Sequence, residues 1–485
     1  MTKHYLLPDI SKPGKIGCSL PELDVPPSEL PPENLLRKEL ELPEISEGEL
    51  VRYFTALSKM NYGVDTGFYP LGSCTMKYNP KWHEDIPKFP GFASTHPLQP
   101  EDTVQGALQL TFEIQEYLAE ITGTDAVSVV PMAGAHGELA SQLMIKAYHH
   151  ERGDKDRRKI LLTDSSHGTN PATASMCGLE IGVVATDREG NVDMKSLNNL
   201  MDDSVAALTL TLPTTLGLFD PYIAEISELV HERGGLLLGD GANLNSLVGY
   251  VKFGDMGFDC VMVNLHKTFS APHGGGGPGS GPACARQRLV EFLPAPLVAR
   301  EDGRYRLVTP AKSIGRIGGF YGNFGVLVKA YAYMRSLGAE GLKQVAQDAV
   351  INANYIKEKL KAHYYLPYDR PCMHEVVFSH KRQAAKGVDA MDIAKRLLDY
   401  GLHPPTVHFP LIVDGALMIE PTETESKATL DEFIQAMIEI AREAEINPDI
   451  LHSAPHNTPV RRLDSARAAR QPDLRWEISE TRAKK

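Results

Sequence analysis

An α/β chain with a large, mainly parallel sheet and a smaller C-terminal α+β domain is what this sequence predicts, on three observations. Short apolar runs recur at 126–131, 159–163, 181–185, 205–212, 236–239 and 258–263, with helical patterns such as 137–149 and 222–233 between them. Strands alternating with helices imply a mainly parallel sheet covered on both faces. From about residue 322 onward, long helical patterns and isolated strand candidates replace that alternation. At 485 residues the chain is also long enough for two domains plus extensions.

The bulk numbers exclude some classes. A hydrophobic share of 42% and a charged share of 23% are ordinary for a globular protein. A net charge of −12 argues against a nucleic-acid partner, which needs clustered Lys and Arg. No apolar run is long enough to span a bilayer, and residues 1–15 lack the apolar centre of a signal peptide. The six cysteines are scattered without a C-x-x-C pair, so neither a zinc site nor a disulfide framework is expected. A cytoplasmic location is the simplest reading, although an organelle protein stripped of its transit peptide reads the same.

Taken in order, residues 1–45 are proline-rich and short of core, which suggests an arm lying on a partner subunit, with disorder as the alternative. Ser46-Glu47-Gly48-Glu49 has capping-box spacing and opens a short helix. The broken stretch from Tyr69 to Lys77 reads as a structured loop. In the second half, 322–337 and 340–360 read as long helices, 375–379 and 417–420 as strands, and 389–400 as a helix closed by Gly401. A last helix is expected to open on the box Thr429-Leu430-Asp431-Glu432, with a polar extension past Asn447. The divisions are 1–90 (arm and loop), 91–330 (large domain), 331–447 (small domain) and 448–485 (extension).

In a parallel α/β sheet ligands bind at the carboxyl ends of the strands, and there the unusual residues collect. Ala133-Gly134-Ala135-His136-Gly137 leads straight into a helix, so Gly134 and Ala135 could offer backbone N–H groups and a helix dipole to an anion; a plain strand-to-helix turn is the alternative. His167 lies between Ser and Gly at a strand end. Thr214 follows another strand, where a hydroxyl reaches a ligand or merely caps a turn. Asp240 ends the run Leu236-Leu237-Leu238-Gly239, where a carboxylate is poorly solvated and needs a cationic partner or several donors; a turn-capping Asp is the alternative. Asn243 follows it. Lys267 sits where a buried strand ends and the backbone turns, in Asn264-Leu265-His266-Lys267-Thr268, with small residues behind it from Gly274 to Gly281; a solvated surface lysine is the alternative.

Together these loops supply what pyridoxal phosphate requires. Lys267 offers an amine for a Schiff base with the aldehyde, Gly134 and Ala135 a phosphate site, and His167 a flat group to stack on the ring. Asp240 offers the charge that keeps the ring nitrogen protonated. A dinucleotide loop is the competing account of the glycine run. It fails because that motif needs strand, G-x-G-x-x-G and helix, whereas Pro272, Pro278 and Pro282 interrupt this one.

The segment Asn264-Leu265-His266-Lys267-Thr268 with Pro272-His273-Gly274-Gly275-Gly276-Gly277-Pro278-Gly279 closely resembles the cofactor-lysine segment of the glycine decarboxylases, the P-proteins of the glycine cleavage system. So do Ser166-His167-Gly168-Thr169-Asn170-Pro171-Ala172, Asp240-Gly241-Ala242-Asn243-Leu244-Asn245, and Tyr69-Pro70-Leu71-Gly72-Ser73-Cys74-Thr75-Met76-Lys77. Gly338-Ala339-Glu340-Gly341-Leu342 and Met418-Ile419-Glu420-Pro421-Thr422-Glu423 extend the likeness over about residues 60–476. One departure is visible: the family's Asn-Ser-Gly-Ala-Gln-Gly loop is here Met132-Ala133-Gly134-Ala135-His136-Gly137, which lacks the Ser hydroxyl. Backbone N–H groups or His136 would have to do more of the phosphate binding.

The resemblance implies fold type I of the pyridoxal-phosphate enzymes. It assigns cofactor binding to Lys267, Asp240, His167, Gly134, Ala135, His266, Thr214 and Asn243, with Lys267, His167 and Asp240 catalytic and no metal. It implies decarboxylation of glycine and transfer of the aminomethyl group to the lipoyl arm of H-protein. The likeness is to the cofactor-bearing half of the single-chain enzyme, so a homologous subunit 1 and an α₂β₂ assembly are expected. Another fold-type-I decarboxylase or lyase, or a non-catalytic subunit, are the alternatives.

Overall fold

A computed structural model of the chain describes residues 6–38, 40, 42–274, 277 and 279–474. Gly275, Gly276 and Pro278 of the glycine run therefore lie outside the described residues. Two compact units are present, Met1–Thr66 and Gly67–Lys485.

In the first unit the helix Glu47–Ser58 opens on the expected capping box, Ser46 with Glu49. Lys15 Nζ also reaches Glu49, at 2.5 Å, so that carboxylate serves both the helix end and the extended segment before it. Leu20, Leu23, Leu30, Leu35 and Leu42 of the proline-rich stretch are exposed.

The second unit is built on a seven-stranded sheet. Its strands are β1 (Ala126–Ser128), β2 (Lys159–Thr163), β3 (Glu180–Val184), β4 (Val205–Thr211), β5 (Leu236–Gly241), β6 (Cys260–Val263) and β7 (Ala283–Ala285). Their order is β1-β7-β6-β5-β4-β2-β3. Strands β2 to β6 pair in parallel, while β7 runs antiparallel to both neighbours. Burial explains the apolar runs: every residue of β5 and β6 is buried, as parallel strands covered on both faces must be. Among the helices covering the sheet are Gly134–Glu151 and Ile223–Glu232, close to their expected bounds. Strand β7 escaped the reading because three small residues after a proline carry neither length nor β-branched pattern. The hairpin β8 (Leu297–Glu301) and β9 (Arg304–Val308) follows it.

The long helix Phe324–Leu360 is broken at Gly338, whose φ of 62° and ψ of −173° are not helical, so the two expected helices stand as two segments across a kink. Beyond it β10 (Val376–Ser379), β11 (Thr406–Val407) and β12 (Ala416–Ile419) form an antiparallel sheet in the order β10-β12-β11. The helix Ala390–Asp399 starts at the Asp389 cap and is followed by Gly401 at φ 75°. The last long helix corrects an expectation. It runs Lys427–Ile446 from Ser426, whose Oγ accepts from Thr429 N–H, so Thr429 lies in the first turn and is not the cap. Ser426 caps because its extended backbone leaves its hydroxyl free to take an orphan N–H. Part of the polar tail is docked: Leu451 is fully buried and Arg462 donates to Asp392 at 2.6 Å.

Candidate active site

The carboxyl ends of β4, β5 and β6 open onto a cleft of about 710 Å³. Asp240 sits near the end of β5, paired with Thr211 of β4 and Met262 of β6, and these three line one wall. Gly134 and Ala135 line it from the start of their helix, His167 and Thr169 from the loop after β2, and Lys267 from the turn after β6. Ser73, His374 and Glu375 come from segments far away in sequence. Seven of the eight expected site residues thus meet in one cleft: Lys267, Asp240, His167, Gly134, Ala135, Thr214 and Asn243.

His266 is set apart. Its Nδ1 accepts from Ser280 N–H at 3.2 Å, its ring meets His273 edge-to-face, and it does not line the cleft. Burial, with the charges of His273 and Lys267, pushes its imidazole down to about 4. Both residues lie in the turn beyond β6, where strand alternation no longer applies, and Lys267 alone lines the cleft.

Lys267 Nζ donates to the Ser73 carbonyl at 2.7 Å. The loop carrying Ser73 is held by buried groups: Ser73 N–H donates to Glu375, and Thr75 donates to Glu420 through both N–H and Oγ1. Asn243 Nδ2 donates to Thr75 Oγ1 and to Glu420. The loop ends on Lys77, fully buried, whose Nζ donates to the Thr268 carbonyl, Asn245, Tyr333 and Glu423.

Asp240 is 4% exposed and accepts from Ala242 N–H at 3.1 Å, Asn170 Nδ2 at 3.4 Å and Thr211 Oγ1 at 3.5 Å. No cationic side chain is bonded to it among the described residues, so a buried negative charge faces the cleft with neutral donors alone. Next to it Glu138 is buried, and desolvation together with the charge of Asp240 pushes its carboxyl up to about 8. The helix Gly134–Glu151 has no side-chain cap at Ala133, so its leading N–H groups are left to an external acceptor. A Cβ on Gly134 would lie 2.6 Å from Asn264 Oδ1, so any larger residue there would have to displace the Asn264 amide. His136 turns back and its Nδ1 accepts from Met132 N–H, away from the cleft lining. His167 is exposed and meets Phe409 edge-to-face. Thr214 Oγ1 accepts from Leu216 and Leu218 N–H, which is turn capping, while still lining the cleft.

An amine, an uncapped helix start and an unpaired buried carboxylate around one cavity fit the three functional ends of pyridoxal phosphate. Reading by residue missed Glu138, Asn264, His374 and Glu375. The signal for Glu375, a carboxylate abutting an apolar strand, was the one used for Asp240.

Residues 19–305 match the family model described as Glycine cleavage system P-protein, and residues 345–458 match Glycine dehydrogenase, C-terminal domain. The chain is 55% identical over 483 residues to "Probable glycine dehydrogenase (decarboxylating) subunit 2" of Caldanaerobacter subterraneus subsp. tengcongensis, covering 98% of this chain and 100% of the relative. The protein of the same name from Halalkalibacterium halodurans is 55% identical over 477 residues, covering 97% and 98%. The fold resembles that of an inhibitor-bound glycine decarboxylase (P-protein), with a TM-score of 0.72 at 20% identity over 84% of this chain and 93% of that one. It also resembles Lactobacillus brevis glutamate decarboxylase, with a TM-score of 0.65 at 13% identity over 88% and 96%. These neighbours are fold-type-I pyridoxal-phosphate enzymes, and this chain shares that fold. On the full-length likeness and the matching model, the chain belongs to the P-protein family of the glycine cleavage system, in its glycine dehydrogenase (decarboxylating) subunit 2 form.

Proposed function

We propose that this chain binds pyridoxal phosphate through Lys267 and decarboxylates glycine, passing the aminomethyl group to the lipoyl arm of H-protein. The observation that carries the reading is the convergence of Lys267, Asp240, His167 and the Gly134–Ala135 helix start on one cleft. When bound, the cofactor supplies an electron sink for the bond between the substrate α-carbon and its carboxylate. Asp240 holds a fixed negative charge at the cleft base, where it favours a protonated ring nitrogen. Leading N–H groups of the helix bind the phosphate, and His167 packs on the ring face. Asn243 and Thr214 complete the lining. The Ser73 loop keeps water from Lys267 and receives its amine whenever the lysine is free.

In the same reading, residues 91–330 form the cofactor domain and 331–447 the small domain. Residues 1–90 are arm and active-site loop, and 448–485 are an extension. The relatives' name, subunit 2, supports pairing with a homologous subunit 1 in an α₂β₂ assembly. No described helix is long and apolar enough to cross a membrane; we place the enzyme in the cytoplasm. The exposed leucines of the arm suit a partner surface, whose burial offsets the cost of ordering it.

Borohydride reduction of the co-expressed complex, followed by peptide mapping, should put a pyridoxyl group on Lys267. A label on another lysine overturns the assignment. Light scattering should give a mass near two copies of each subunit, and stable glycine decarboxylation by this chain alone would refute the partner requirement.

A further inference from the structure

Two carboxyl groups beside Lys267 take no part in the reading above. In the antiparallel pair of β10 and β12, Val376 sits opposite Ile419. Glu375 immediately precedes the first, and Glu420 immediately follows the second. The register therefore sets both at one end of the small sheet, 2% and 0% exposed, with carboxylate oxygens within 4.8 Å of each other. Two carboxylates so close and so buried do not both ionise.

Their partners decide which one carries the charge. Glu420 accepts three hydrogen bonds, from Thr75 N–H, Thr75 Oγ1 and Asn243 Nδ2. Glu375 accepts one among the described residues, from Ser73 N–H. Donors stabilise the ionised form, so the charge settles on Glu420 and the proton on Glu375. Burial and the Glu420 charge both push the Glu375 carboxyl well above the ordinary range. The other groups facing it do not reverse this. His374, 3.7 Å away, is pushed down to about 3 by burial and stays neutral. Burial raises the Cys74 thiol, which stays neutral too. Among the described residues Lys267 is the one cation acting on Glu375, and its Nζ is bonded to the Ser73 carbonyl. His374, Glu375 and Glu420 are close enough to hold a metal ion, but both oxygens of Glu420 are already taken by protein donors. Of the two carboxyls only Glu375 lines the cleft.

We infer that Glu375 is a further catalytic residue: a neutral carboxylic acid that protonates the sulfur displaced when the aminomethyl carbon is transferred to a disulfide carrier. This rests on the proposed function. In the step, a carbon–sulfur bond forms to one sulfur using the electron pair freed by loss of carbon dioxide. The sulfur–sulfur bond breaks and its pair stays on the second sulfur, which takes the proton from Glu375. The carboxylate regains a proton from solvent when the carrier withdraws. A dialkyl disulfide needs such an acid because its leaving thiolate is strongly basic.

The test uses the assembled holoenzyme, glycine and two acceptors: lipoamide and an aromatic disulfide whose leaving thiolate is stable unprotonated. Glu375→Gln should slow transfer to lipoamide on the order of a hundred-fold or more, and transfer to the aromatic disulfide far less. The infrared carbonyl band of protonated carboxyls should be present in the wild type and lose the share of one group in Glu375→Gln, with that of Glu138 remaining. Glu375→Asp, which keeps the acid, should recover part of the lipoamide rate, and it carries the comparison if the glutamine variant does not fold. Equal losses with both disulfides, or an infrared spectrum unchanged by the substitution, overturn the inference. A wild type that shows that share of the band but passes nothing to either disulfide would instead sink the proposed function.

Discussion

The amine of Lys267 is bonded to the backbone carbonyl of Ser73, 194 positions earlier in the chain. Ser73 sits at φ 65° and Thr75 at φ 52°, a region that non-glycine residues seldom occupy. Their N–H groups are held by Glu375 and Glu420, so two carboxyls of the small sheet keep a strained turn against the lysine. The loop is therefore a wall of the site in its own right.

Lys77→Met should destabilise the chain by about 3 kcal/mol, because it leaves the nearly buried Glu423 without its ammonium while the surrounding dipoles stay fixed. Urea denaturation of the cofactor-free chain measures this. A change below about 1 kcal/mol would mean that Glu423 finds water or another partner.

Asp240→Asn should fold and retain some cofactor but lose most of the decarboxylation rate. Asparagine matches aspartate in size and lacks its charge, and a few kcal/mol of lost stabilisation is on the order of a hundred-fold. Wild-type turnover would reduce Asp240 to a turn residue.

Glu138 gives the cofactor-free chain a pH signature. Its carboxyl is raised from 4.5 to about 8 in the folded chain, which then keeps a proton that the unfolded chain has lost. The stabilisation is complete below about 4.5 and is lost as pH rises through about 8. Glu138→Gln mimics the neutral acid, so its thermal midpoint should fall less than the wild type's over that interval. Parallel curves would show that Glu138 is ionised throughout.

His167→Ala should weaken cofactor retention and slow the reaction without unfolding the chain, since the ring is exposed at the cleft and carries little of the core. Spectroscopic titration of the cofactor checks it. Unchanged retention and turnover would remove His167 as the stacking group.

The large sheet was legible because its strands are buried on both faces and read as continuous apolar runs. Asp240 and Lys267 stood out because a charged group at the end of such a run needs a reason. His266 did not follow its neighbour into the cleft, since sequence adjacency says nothing about which side a turn residue takes. Glu375 and Glu420 are brought together by the pairing of two strands about 40 residues apart, and register across such a distance has no local signature. The start of the last helix was misplaced because Ser426 and Thr429 are both good caps, and only the backbone conformation separates them.

Gly338 gives the molecule a lever. A Cβ there would meet nothing within 4 Å, yet its φ of 62° with ψ near 180° is a conformation essentially confined to glycine. The helical segment beyond it, 22 residues to Leu360, is about 33 Å long. A tilt of about 5° at the kink therefore swings its far end by roughly 3 Å, close to the length of one hydrogen bond. The strands that Glu375 and Glu420 flank follow that segment in the chain. A substitution at Gly338 should therefore be felt at the small sheet, although that residue has no place in the cleft lining.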